Sequence, residues 1–365
     1  MPVILKERKG NRAIFVYVSE EELQKKSNQA STPSSVPSTF PIPEHETWFV
    51  FDSSKIMDYM ACPRKFFFRY ILGWEREEPN IHLIFGSAWH EAKEAILQLG
   101  YSREAEEEAY KRFLAYYRTY YPEYMDLDNA PKNPANAKKA ITEYIAEYAS
   151  QDTFQNLYTE IGVAVPINEE GDEIYGKLDS ININKEGKYF SLEHKTSSQQ
   201  PAWWYDQWLQ RFQIGTYYHI LCAQYGYENV LGIVVDGTIF RKKGNAHLRS
   251  TIVKSLDQME DWLAQANFWV KSIKKDLEIF RTSTKDSKVL PCFQKNTNSC
   301  ISYNKLCPFF HVCSAWANPL KSTDEIPIGY RTRYWDPRKA DDTGKEFKHV
   351  LDLYTKTISK KEETK

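Results

Sequence analysis

The chain has 365 residues, 42% of them hydrophobic and 15% aromatic, enough to bury a sizeable core and to exclude wholesale disorder. Lys and Arg total 48 against 49 Asp and Glu, a formal net charge of -1. That excludes a histone-like polycation but not a nucleic-acid protein, because binding depends on where charges lie rather than on their sum. Six cysteines are too few for a disulfide scaffold. No apolar run approaches the ~20 residues of a membrane span, and the start, Met-Pro-Val-Ile-Leu-Lys, lacks the apolar stretch of a signal peptide. The expectation is a cytoplasmic protein with no membrane role, in the host cytoplasm if phage-encoded.

Residues 12–18 have the composition of a strand. Residues 27–47 are rich in Ser, Pro and Thr and read as a linker, so the globular body is expected to begin near Trp48. Ser53 and Ser54 are N-cap candidates for a short helix, and Pro63 suits the first turn of a second helix through residues 64–72. Residues 87–99, 103–121 and 135–149 have helical composition. Strands are expected at 158–167, 173–184 and 188–196, where Ile, Val and Tyr accumulate. A long helix from Trp203 to Gln224 follows, then strands at 229–240 and 247–253 and a helix at 255–281. A cysteine-rich segment and a polar tail after Pro337 close the chain. There is no internal repeat. Helices, three strands, a helix and a strand, in that order, specify an α/β (α+β) fold with a helical insertion in front.

The hairpin at 173–196 carries the chemistry. Between its strands, Lys185-Glu186-Gly187 makes a three-residue loop with Gly in the left-handed position, a favoured connection. In that register Asp179 lies opposite Glu193, with Cβ atoms about 5 Å apart. Opposed carboxylates repel, and a divalent cation between them would remove the repulsion. Strand alternation puts Glu193 and Lys195 on one side and His194 on the other. Two carboxylates and an ammonium therefore converge on one patch. Such an oxygen-rich site suits Mg²⁺ or Mn²⁺ better than Zn²⁺. The ammonium could orient a water or stabilise charge on a phosphate.

Four of the six cysteines crowd between Cys292 and Cys313, and Cys62 stands far upstream in Ala-Cys-Pro-Arg-Lys. Cys62, Cys300, Cys307 and Cys313 make a thiolate quartet fit for a [4Fe–4S] cluster or a tetrahedral Zn²⁺ site. Cys292 is an alternative member, and Cys222, on a helix, reads as a buried structural thiol. Basic and aromatic residues interleave in Arg64-Lys-Phe-Phe-Phe-Arg69-Tyr, a composition suited to phosphate contact and stacking. Arg241-Lys242-Lys243 and Lys271 to Lys275 are further basic candidates. Trp203, Trp204 and Trp208 could stack on a frayed end or serve the core.

Upstream stands Gly86-Ser-Ala-Trp-His90, expected to open a helix, with Glu94 one turn on. Downstream stands Gln213-Ile-Gly-Thr-Tyr217. Taken with Gly176-Lys-Leu-Asp179 and Glu193-His-Lys195, the set G-x-x-x-H, G-x-x-D, E-x-K and Q-x-x-x-Y resembles the PD-(D/E)XK nuclease superfamily, specifically its RecB-like exonuclease branch, over roughly residues 50–315. Leu178 stands where the motif has proline. The resemblance implies a restriction-endonuclease-like core, with a mixed central sheet flanked by helices. It implies that His90, Asp179 and Glu193 bind Mg²⁺ or Mn²⁺, with the carbonyl of His194 as a further ligand. Lys195 would serve the attacking water, and Gln213 and Tyr217 would position DNA or the lysine. The cysteine quartet resembles the iron–sulfur staple of AddB-type and CRISPR-associated relatives, although their triplet is C-x₂-C-x₅-C and here the first gap is six residues.

The expected organisation is an arm and linker over 1–47, a nuclease domain over 48–318 and a polar tail over 319–365. Within the domain, 48–155 would be helical, 156–282 the catalytic core and 283–318 the metal staple. The expected function is a metal-dependent DNA exonuclease of repair, recombination or phage and mobile-element DNA processing. With no GxxxxGK[ST] in the chain, any motor would be a partner, a helicase or recombination protein. The rival is an inactive DNA-binding or scaffold module that kept the fold and the staple.

Overall fold

The computed structural model describes residues 3–9, 12–17, 40–302, 305–339 and 348–349. Most of the expected linker, 27–39, and the polar tail beyond Lys339 apart from 348–349 lie outside the described residues. At the N-terminus, β1 (Val3–Lys9) pairs antiparallel with β2 (Arg12–Tyr17), which is the strand expected at 12–18. The body follows with β3 (Phe51–Asp52), α1 (Ser53–Ala61), α2 (Pro63–Phe66) and β4 (Trp74–Arg76). Helices α3 (Ile81–Leu99), α4 (Arg103–Arg118) and α5 (Pro134–Tyr148) come next. Three strands succeed them, β5 (Gln155–Pro166), β6 (Glu173–Ile183) and β7 (Tyr189–Ser197). Then come α6 (Phe212–Tyr225), β8 (Val230–Ile239), β9 (Ala246–Ile252) and α7 (Leu256–Arg281). The last part holds β10 (Ile301–Ser302), β11 (Lys305–Leu306), α8 (Phe310–Ala315) and β12 (Tyr330–Thr332).

The fold is a mixed α/β arrangement around a mixed central sheet. Its path includes β5-β6-β7-β8-β9, with β3 pairing β6 in parallel. Strands β6 and β7 are antiparallel, β7 and β8 parallel, and β8 and β9 antiparallel. A parallel pair cannot be joined by a tight turn, and α6 supplies the crossover between β7 and β8. No helix among the described residues is long and apolar enough to cross a membrane.

The described body divides into two compact units, each assembled from separated stretches of chain. One comprises 79–163 and 177–255. Its helices bury Phe85, Trp89, Phe113, Tyr117, Ile141 and Tyr144 in a common cluster. Helix α6 is buried around almost its whole circumference, as expected of a crossover helix whose polar face is minimal. The other unit comprises 40–78, 164–176 and 256–339. Its centre is aromatic: Phe67 meets Phe280 at 5.4 Å and Phe293 at 5.3 Å between centroids, and Trp48 meets Phe280 at 5.9 Å. Each fully buried ring contributes ~1.5–3 kcal/mol.

Several local expectations are corrected. The cap of α1 is Asp52, whose side chain accepts from Lys55 N at 2.7 Å, rather than Ser53 or Ser54, which lie inside the helix. Gly86 does not open a helix; α3 starts a turn and more earlier, where the Asn80 side chain accepts from His82 N. Pro63 does stand in the first turn of α2, but beyond Phe66 the chain widens into a π turn, Phe67–Ile71, with Leu72 N donating to Phe67 O. The helix expected from Trp203 begins only at Phe212, after a single 3₁₀ turn at Asp206–Trp208 and an extended Arg211.

Candidate active site

The turn joining β6 and β7 closes as its residues dictate. Gly187 takes φ 76, and Asn184 N donates to Lys188 O at 3.0 Å. The backbone pairs Asn182 with Phe190 and Ile183 with Tyr189, the register expected from the sequence. Further from the turn, side chains take over. Leu192 N donates to Ser180 Oγ at 3.1 Å, and His194 N donates to Asp179 Oδ2 at 2.6 Å. The strands thus part around polar side chains that the ladder would otherwise exclude, and the functional groups sit where they part.

On β6, Asp179 has its Oδ1 3.2 Å from Nδ1 of His90, which α3 presents. Nε2 of His90 donates to the His194 carbonyl oxygen at 3.1 Å. Glu160 on β5 completes the group, with Oε1 3.7 Å from His90 Nδ1. One ligand atom from each of His90, Glu160 and Asp179 lies within 4.8 Å of the others, a set that could hold a metal ion. Burial opposes a proton on His90, but Asp179 and Glu160 outweigh it and hold the ring well above the usual histidine range. Burial likewise opposes ionisation of Asp179, and His90, His194 and Lys195 reverse the effect and push the carboxyl below its usual range.

Glu193 lies beside this group. Lys195 Nζ donates to its Oε1 at 2.5 Å, while Oε2 is buried without a hydrogen-bond partner. Burial and the neighbouring Asp179 push the Glu193 carboxyl up to about 7, against the pull of Lys195. An orphaned carboxylate oxygen next to a group of oxygen and imidazole donors fits a hard divalent cation. Lys195 also donates to Gln213 Oε1 at 3.0 Å, and Gln213 Nε2 donates to the Tyr217 hydroxyl at 2.8 Å, one turn along α6. The seven residues to which the resemblance gave metal-binding or catalytic roles, His90, Asp179, Glu193, His194, Lys195, Gln213 and Tyr217, all lie in one unit. Glu94 turns elsewhere, accepting from Gln98 and Thr159.

Two members have no place in the sequence reading. Glu160 interrupts an apolar strand with φ 48, and every residue from Glu160 to Pro166 is buried. The lone carboxylate in that run was the available signal. Lys177, two residues before Asp179 on the same strand face, pairs with Glu160 Oε2 at 2.8 Å. Burial would raise the Glu160 carboxyl, and His90 and Lys177 lower it below the usual range.

The basic-aromatic segment at 64–70 belongs to a core, not to a nucleic-acid surface. Phe66, Phe67 and Phe68 are fully buried. Buried Arg64 donates to the Phe293 carbonyl at 2.9 Å, Lys65 pairs with Asp58, and Arg69 pairs with Glu75. Of the three tryptophans, Trp204 and Trp208 are buried and Trp203 is exposed. Lys242 and Lys243 are exposed, whereas Lys271 and Lys274 pair with Glu170 and Asp172.

Four cysteines, Cys62, Cys300, Cys307 and Cys313, are half-buried. The six residues between Cys300 and Cys307 include the hairpin of β10 and β11, which returns the chain so that Cys307 N donates to Cys300 O at 2.8 Å. Asn296 N donates to Cys62 Sγ at 3.4 Å. Burial raises the thiols of Cys307 and Cys313, opposed by Lys65 for one and by Lys295 and Arg64 for the other. Cys62 and Cys300 act on both. Cys292 is buried against the Ser283 hydroxyl, and Cys222 is buried as expected.

A family model described as the PD-(D/E)XK nuclease superfamily matches residues 53–314. No curated protein matches the chain at a significant level. Among solved structures, one described as "Crystal structure of SSO0001" is similar at 15% identity, covering 69% of this chain and 84% of that one with a TM-score of 0.28. A likeness so distant adds nothing to the functional reading.

Proposed function

Because the chain belongs to the PD-(D/E)XK nuclease superfamily, we propose that it is a metal-dependent DNA nuclease, an exonuclease of the RecB-like branch, that hydrolyses phosphodiester bonds. The observation that carries the reading is the convergence of His90, Glu160 and Asp179 beside the orphaned oxygen of Glu193. These residues, with the His194 carbonyl, would hold Mg²⁺ or Mn²⁺. Such a cation, when bound, supplies Lewis acidity to the scissile phosphate and acidifies a nearby water. Lys195, steadied between Glu193 and Gln213, presents its ammonium to the attacking water or to a phosphate oxygen as charge builds. Gln213 aims that ammonium, and Tyr217 holds the Gln213 amide. Lys177 offers a second cation on the other flank, beside Glu160.

Cys62, Cys300, Cys307 and Cys313 would hold a [4Fe–4S] cluster, with structural Zn²⁺ as the alternative. The fit is supported by the amide donated to Cys62 Sγ, which favours a thiolate, and by Arg64, Lys65 and Lys295 beside the thiols. The group would tie the segment after α1 to the C-terminal part of the same unit. A motor for processive degradation would be a separate helicase or recombination partner.

The test is incubation of the purified chain with end-labelled single- and double-stranded DNA in Mg²⁺ or Mn²⁺. Wild type should release nucleotides and Asp179→Asn should not. Equal inertness of both proteins in every condition would refute the nuclease reading and leave the DNA-binding module.

A further inference from the structure

Behind the candidate site, on the face of β7 opposite Glu193 and Lys195, lies a buried ionic cluster that the proposed hydrolysis does not use. Its centre is Asp236 on β8, paired with His194 across the parallel register and with Arg249 across the antiparallel one. Oδ2 of Asp236 accepts from His194 Nδ1 at 2.9 Å and from the Tyr144 hydroxyl at 3.0 Å, and lies 2.8 Å from Lys93 Nζ. Oδ1 accepts from Arg249 Nε at 3.1 Å. Arg249 is held in turn by Asp152, at 2.8 Å through Nη2, and by the Tyr144 hydroxyl. Asp236, Lys93 and His194 are each only 1% exposed. Stability is a weak account of such a cluster, because replacing buried ion pairs by apolar residues is often neutral or stabilising.

Its connections are more informative. Lys93 lies one turn beyond His90 on α3. His194 stands between Glu193 and Lys195, and its peptide group donates to Asp179 and accepts from His90. One carboxylate thus joins the helix that presents His90 to the strand that presents Glu193, the His194 carbonyl and Lys195. We propose that Asp236 is a positioning residue for the candidate metal site: by clamping Lys93 of α3 and His194 of β7, it sets the spacing between His90 and the ligands on β6 and β7. The proposal rests on the metal-dependent reading above.

The test is calorimetric titration of Mn²⁺ alone into the full chain, comparing wild type with Asp179→Asn, Asp236→Asn and Lys93→Met. Neither Asp236 nor Lys93 is among the candidate ligands, so a structural role alone would lower the melting temperature and leave the Mn²⁺ affinity of folded protein unchanged. A positioning role weakens Mn²⁺ binding about tenfold or more in Asp236→Asn and in Lys93→Met, the scale typical of outer-shell partners, with KM for DNA unaltered. Where Asp236→Asn does not fold, Lys93→Met decides. Affinities within twofold of wild type in every folded variant overturn the proposal. Wild type that binds no Mn²⁺, or Asp179→Asn that binds it equally well, overturns the metal-site reading and this proposal with it. Loss of binding in Asp179→Asn alone removes only the proposal.

Discussion

Gly237 on β8 is opposite Lys195 in the register with β7, and it is where the segment connecting β7 to α6 is pinned to the sheet. A Cβ added there would lie 2.2 Å from Trp204 Cζ2 and 3.0 Å from Cη2. Trp204 is 3% exposed and packs edge-on against Trp208 at 5.7 Å between centroids, so the ring has little room to retreat. Overpacking of this kind costs ~1–3 kcal/mol, and expulsion of the whole indole would approach the ~3–5 kcal/mol of a Trp truncation. Against this, Gly→Ala at a backbone conformation open to alanine stabilises by ~0.4–1 kcal/mol through the unfolded chain.

Gly237→Ala should therefore destabilise wild type by ~1–3 kcal/mol. In a Trp204→Ala background the clash is gone, and the same change should be neutral or stabilising by up to ~1 kcal/mol. Urea unfolding of the four proteins of the cycle measures the coupling. An equal cost of Gly237→Ala in both backgrounds would falsify the pinning argument. Because the pinned segment leads from Lys195 to Gln213, cleavage should fall in Gly237→Ala even where the protein remains folded.

Gln213→Ala removes one of the two partners of the Lys195 ammonium and should lower kcat roughly tenfold with KM for DNA little changed; an unaltered kcat takes Gln213 out of the mechanism. Cys62→Ser should release the metal bound at the quartet, read as iron and zinc content per chain. Colourless zinc-containing wild type would sink the cluster, and metal-free wild type would sink the site. Lys55, fully buried, donates to the carbonyls of Thr47 and Val50 at 2.6 and 2.8 Å, and burial brings its ammonium down to about 8 against the pull of Asp52 and Asp336. A base depressed in the folded state makes stability rise with pH from about 8 toward the unfolded value near 10.5. The stability of wild type relative to Lys55→Met should climb across that window by on the order of 3 kcal/mol; a flat difference contradicts the assignment.

The β6–β7 hairpin was readable from sequence because its determinants are local. A glycine that tolerates the left-handed turn sets the loop, and side-chain alternation then sorts Glu193 and Lys195 from His194. The same locality misleads at 64–70. Basic and aromatic residues in alternation describe a stacking surface and an aromatic core equally well. What separates them is Phe280 and Phe293, more than two hundred residues away, which cover the rings. Asp236 was unreadable for a related reason. Within the strand expected at 229–240 it is one acidic residue in an apolar run, and only the register with His194 and Arg249 gives it partners. The segment ahead of α6 is equally non-local: Trp204 packs over residue 237, where a side chain would collide with its ring.

Glu160 combines both difficulties, and the combination can be tested. A non-glycine residue at φ 48 is strained by ~1–2 kcal/mol, less for Asn, whose short polar side chain accepts the left-handed region. In return the carboxylate enters the group with His90 and Asp179, where strict alternation along β5 gives no reason to expect it. If the strain serves the site, Glu160→Gln and Glu160→Asn should lose Mn²⁺ binding alike, since both remove the charge. Loss of the Lys177 pair is common to both, Asn gives up one buried methylene worth about 0.8 kcal/mol, and the left-handed backbone favours Asn by up to ~1 kcal/mol. Asn should therefore match Gln in stability or exceed it. A Gln variant more stable than Asn by the full worth of the methylene would show that backbone preference at residue 160 has no part, and that the packing of β5 alone accounts for where its carboxylate lies.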